Sequence, residues 1–109
     1  MYRHILVPIA FDQDHPHDRA IGLARALSAP DGRISLLHVM PEVPAFAISY
    51  MPEGYGDNLR RAVQAELDGL AGSLPGGSAH VENGDPGRVI LAWAEDHEAD
   101  CIVIASHRP

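Results

Sequence analysis

The sequence predicts a parallel α/β sandwich with helices on both faces of one sheet. Two apolar runs, Ile5–Ile9 and Cys101–Ala105, show no period-2 alternation. A strand of that kind must be covered on both sides, as strands in a parallel sheet are. Between the two runs, extended and helical patterns alternate in the order β-α-β-α-β-α-β, the signature of repeated βαβ units. Right-handed crossovers then give a three-layer α/β/α sandwich with strand order 3-2-1-4.

The first strand runs through Ile5–Ile9, and Pro8, which has no N–H, belongs near its end. A polar stretch, 12–18, leads into the first helix. Asp14 or His15 caps it, Pro16 suits its first turn, and Ala20, Ile21, Leu23, Ala24 and Leu27 form its apolar stripe. Ala29-Pro30-Asp31-Gly32 breaks the helix, and Arg33–Val39 is the second strand. The segment 41–56 mixes prolines and glycines with Phe46, Ile48, Tyr50, Met51 and Tyr55. So long an irregular stretch is uncommon unless functional or disordered, and it reads as a flap or an interface segment. The second helix is expected from Asp57, as N-cap, to Leu74, with Leu59, Val63, Leu67 and Leu70 at helical spacing. Ser78–Asn83 is a weak strand suited to a sheet edge. Asp85 caps the third helix with Pro86 at its first position, and Val89, Ile90, Trp93, Ala94 and His97 line its buried face. Strands one and four, the most apolar, are expected at the centre.

Composition narrows the function. The 109 residues suit one domain. The net charge of −7 argues against nucleic acid and anionic membranes as partners. All eight basic residues are arginines, which removes P-loop, Schiff-base and receiver-domain lysines. The single cysteine, Cys101, allows no internal disulfide and reads as a small buried hydrophobe. There is no signal peptide and no run near the ~20 apolar residues of a membrane span, so a cytoplasmic location is the expectation.

Ile5-Leu6-Val7-Pro8, Leu37-His38-Val39, Gly84-Asp85-Pro86 and Ala99–His107 occur in order and at matching separations. Together they resemble the universal stress protein family over essentially the whole chain. The resemblance implies a Rossmann-like fold of strand order 3-2-1-4-5, homodimerisation through the fifth strand, and binding of ATP or another adenine nucleotide, with Mg. It implies that Pro8, Ile9, Ala10 and Val39 meet base and ribose, with Asp12 the nearest acid. Phosphates would lie on the backbone of Ala105, Ser106, His107 and Arg108, at the switch point between strands one and four.

The chain departs from the family's nucleotide pattern in three ways. Ala10 stands where binders carry Asp. Ala105 and Arg108 replace the first pair of loop glycines. The second glycine element and the fifth strand that the resemblance implies would fall beyond Pro109. The alternative is therefore a stress-linked adaptor without nucleotide, working through protein contacts at 41–56. No general base is evident, so the chain is expected not to be an enzyme beyond slow, incidental hydrolysis; a flavodoxin-like redox domain ranks below both readings. Asp12, Asp14, His15, His17 and Asp18 are metal-ligand types at short spacing. They read first as the acidic start of a helix, and no metal site is assigned. Ser106 and His107 make a poor nucleophile–base pair, because neighbours on an extended segment point opposite ways. His38 and His80 read as satisfied structural histidines.

Overall fold

The computed structural model describes residues 1–11 and 16–104. Its elements are β1 (Tyr2–Pro8), α1 (Pro16–Leu27), β2 (Ser28–Met40), α2 (Ala45–Ile48), α3 (Tyr55–Ala71), β3 (Gly77–Asn83), α4 (Pro86–Asp96) and β4 (Cys101–Ile102). The sheet order is β3-β2-β1-β4, and every pair is parallel. This is the predicted α/β architecture.

Side chains of each strand alternate between the two faces, and each face has its own core. Ile5, Val7, Ile34 and Leu36 pack with Ala20 and Ala24 of α1 and Leu67 and Ala71 of α3. Leu6, Leu37 and Val39 pack against Trp93 and Ala94 of α4. The crossovers account for this split. Two successive connections move the chain toward β3 and leave α1 and α3 on one face. The return from β3 to β4 carries α4 across the other.

Several elements differ from their sequence expectation. Leu23 is 51% exposed. The buried arc of α1 centres between Ala20 and Ala24, which turns Leu23 away by about 80°. Helix α3 begins at Tyr55, not at an Asp57 cap. Gly54 is its N-cap at φ 79°, a left-handed backbone that suits glycine. Asp57 sits in the first turn instead, beside the positive end of the helix dipole. Leu74 is buried just beyond the helix it was assigned to.

The breaker at 29–32 ends α1, but it lies within β2 and not between elements. The register jumps from Tyr2 opposite Ser28 to His4 opposite Arg33, so the strand absorbs the extra residues as a bulge. Among the described residues, the interior strands are β1 and β2, not β1 and β4. β4 pairs with β1 at Cys101 and Ile102, and Val103 N–H adds a bond to the Leu6 carbonyl at 2.9 Å. The end of the predicted fourth strand, Ala105, and the α1 cap candidates Asp14 and His15 lie outside the described residues. The α4 cap is as expected: Asp85 Oδ2 accepts from the Arg88 N–H at 3.1 Å, with Pro86 following. His97 is exposed, although its ring stacks on Trp93. Among the described residues, no helix is long and apolar enough to cross a membrane.

Candidate functional site

The strands deliver their carboxyl ends to one side of the sheet, where ligands gather in open α/β folds. There the chain leaves β1 at Pro8. Ile9 N–H still bonds the Leu37 carbonyl at 2.8 Å, so the ladder holds one residue further. Beyond it opens a cavity of about 910 Å³, within the range of small-molecule sites. Pro8, Ile9, Ala10 and Val39, the four site residues that fall in described segments, all line it. Asp12, Ala105, Ser106, His107 and Arg108 lie outside the described residues.

Two of the polar groups in that wall, neither marked as a site residue by the sequence, are held by defined hydrogen bonds. His38 Nδ1 lies 2.7 Å from the Ile9 carbonyl. A carbonyl only accepts, so Nδ1 carries the proton and Nε2 of the neutral ring is an acceptor. The Phe11 ring tilts against the imidazole at 5.2 Å. His38 is thus a satisfied structural histidine, as expected, and it also lines the cavity. Arg60 of α3 is the second. Its guanidinium donates to the Val81 carbonyl at 2.7 Å and to Asn83 Oδ1, fastening α3 to the end of β3. The Arg60–Asn83 pair is separated along the chain with no periodic relation, so no sequence signal marks it.

The 41–56 segment forms the outer wall. Val43, Met51 and Tyr55 turn toward the cavity, while Phe46 and Tyr50 are 77% and 87% exposed. The one-turn α2 places two apolar side chains, Phe46 and Ile48, in solvent.

Asp12, Asp14 and His15 lie outside the described residues. His17 Nε2 sits 3.6 Å from Asp18 Oδ1, and no group of three or more ligand side chains forms among the described residues. Cys101 is partly buried, and burial pushes its thiol pKa up, away from the reactive thiolate.

The family model of the universal stress protein family matches residues 1–109. The chain belongs to the universal stress protein family. It is 27% identical over 116 aligned positions to "Universal stress protein G" of Salmonella typhimurium, covering 100% of this chain and 82% of that relative. Among solved structures it is similar to hypothetical protein MJ0577, with a TM-score of 0.79, 23% identity and coverage of 100% and 78%. Universal stress protein UspA from Lactobacillus plantarum superposes with a TM-score of 0.67 at 22% identity, covering 99% of this chain and 81% of that one. These structural likenesses establish the fold. Ala10, the position where the sequence departs from the resemblance's Asp, lines the cavity.

Proposed function

We propose that this chain is a small regulatory protein that binds an adenine nucleotide in the cavity at the ends of β1, β2 and β3. The observation that carries the reading is the convergence of Pro8, Ile9, Ala10 and Val39 on that one cavity. Its apolar wall suits a nucleobase face, and His38 Nε2 is an acceptor of the kind an exocyclic amine needs. Arg60 is already committed to Val81 and Asn83, so phosphates would depend on backbone amides at 105–108. Mg would enter with the nucleotide. The chain would act as a cytoplasmic homodimer, with hydrolysis at most incidental.

Isothermal titration of AMP and ATP into the protein tests the reading. Saturable binding that Val39→Asp abolishes supports it; no heat with either nucleotide sinks it. A carboxylate restored by Ala10→Asp should tighten adenine-nucleotide binding by roughly tenfold or more, the effect of one hydrogen bond to a charged group.

The exposure of Phe46 and Tyr50 favours a second reading, a protein adaptor working through 41–56. That reading predicts partner capture that survives Val39→Asp and is lost when both aromatic residues become serine.

A further inference from the structure

Beneath α4 the sheet is not wholly apolar. His4 of β1 is only 4% exposed. Its Nδ1 lies 2.9 Å from the His97 carbonyl, and its Nε2 lies 2.7 Å from Ser35 Oγ. Ser35 Oγ meets Ser78 Oγ at 3.0 Å; the two serines are register partners on β2 and β3. Ser78 Oγ meets His80 Nε2 at 3.0 Å. One unbroken chain, His4–Ser35–Ser78–His80, therefore crosses three strands.

Its proton order can be read off. The His97 carbonyl only accepts, so His4 Nδ1 donates and Nε2 accepts from Ser35. Ser35 then accepts from Ser78, and Ser78 from His80 Nε2–H. The contact of Arg33 Nη2 with His4 Nδ1, at 3.3 Å, supplies charge and not a hydrogen bond. A proton arriving from water at His80 Nδ1 can pass along the chain by three short transfers, His80 to Ser78, Ser78 to Ser35 and Ser35 to His4. It leaves His80 as the Nδ1–H tautomer and His4 protonated on both nitrogens, still bonded to His97 and Ser35. Each transfer runs along an existing hydrogen bond, so no side chain has to move. A second proton has no such solution: both Nε2 atoms would donate inward, and one serine hydroxyl would lose its acceptor.

We propose that His4–Ser35–Ser78–His80, buried at its His4–Ser35 end, is a site for one shared proton, and that a second proton releases α4 from the sheet. The charged surroundings agree. His4 faces Arg33 on β2, His97 at the end of α4 and Asp100 ahead of β4; His80 faces His97, His4 and Glu82 of its own strand. Burial, first of all, lowers the pKa of both imidazoles below 6.5. The unfolded chain thus holds these protons more tightly than the folded one. Stability is full above pH 6.5 and falls as pH drops below it, levelling once both folded-state values are passed.

The protein carries its own reporter. Trp93 is the sole tryptophan, and three imidazoles surround it: His97 stacked at 3.8 Å, His80 at 4.9 Å and His4 edge-on at 5.9 Å. Protonated imidazole quenches a neighbouring indole far more than the neutral ring does. We would titrate Trp93 emission and the ring-nitrogen NMR shifts of the full chain from pH 8 to pH 4. The expected result is a His4 Nδ1–H and a His80 Nε2–H tautomer at pH 8, then one common midpoint for both rings below pH 6.5. Protection of α4 amides against exchange should fall at least tenfold more than that of β1 amides on further acidification. Ser35→Ala should split the common midpoint into two. His97→Gln, which keeps the backbone carbonyl, should leave the common midpoint in place. Separate midpoints in the unaltered protein, the opposite tautomers at pH 8, or an emission change that disappears with His97→Gln would each overturn the proposal. The NMR reading needs no variant, so a poorly folding Ser35→Ala does not shelter it.

Discussion

Asp100 fastens the beginning of the central strand to the end of the described chain. Its two carboxylate oxygens accept from successive backbone amides, Arg3 N–H at 3.0 Å and His4 N–H at 2.9 Å. Those bonds, the one from Arg3 foremost, hold its pKa below 3.8. A depressed carboxylate contributes stability above its ordinary value and loses it as pH falls through the folded value. Asp100→Asn should therefore lower the melting temperature at pH 7 and flatten the acid limb of the stability curve below about pH 4; an unchanged acid limb would show the bonds to be idle. Gly76 sits at φ +60°, where an added Cβ would meet the Gly32 carbonyl at 2.8 Å. Gly76→Ala should cost about 1–3 kcal/mol in a denaturant titration, the range for a strained left-handed residue. These two positions show the limit of reading from sequence at this scale. Asp85 was legible as a cap because its partner is three residues away. Asp100 was not, because its partners are some 96 residues distant. Nothing local distinguishes it from an ordinary surface acid.

Elements were legible where period and punctuation agree. Both faces of β1 are apolar because both are covered, and Asp85-Pro86 opens α4 as written. The misplacements have one cause: tertiary packing chose among local options. Gly54 took the cap of α3 from Asp57, and β2 absorbed a breaker as a bulge because pairing with β1 resumes at Arg33. The stripe of α3 meets the core at Val63, Leu67 and Leu70, of which Leu67 is wholly buried, while Leu59 is exposed. Leu67→Ala should cost about 2–5 kcal/mol of unfolding free energy, as buried leucine truncations do. The segment around α2 makes the opposite prediction. Phe46→Ser and Tyr50→Ser should each change stability by less than about 0.5 kcal/mol, since exposed side chains away from special backbone features contribute little. A larger loss in either would show that the aromatic packs against the body of the protein. The cavity was half legible. Pro8–Ala10 and Val39 come from strand ends that the topology must bring together, whereas Arg60 and Asn83 meet only through the packing of α3 on β3.

At the scale of the molecule, the two cores are joined through a sheet whose middle strands carry nearly all the long-range order. The family fold was legible from four short motifs because their order and separations constrain topology, not because any one of them fixes chemistry. The same topology has a consequence for synthesis. β1 is the first strand made, yet its pairing partner β4 lies some 96 positions downstream, Ile5 opposite Cys101. At about 5–20 residues per second the ribosome needs roughly 5–20 s to deliver that partner. Throughout that interval the nascent chain carries an unpaired strand edge with the apolar run Ile5–Pro8, the kind that recruits other chains. A stop codon late in the message would leave that edge permanently open, and the polypeptide would go to chaperones or to insoluble material.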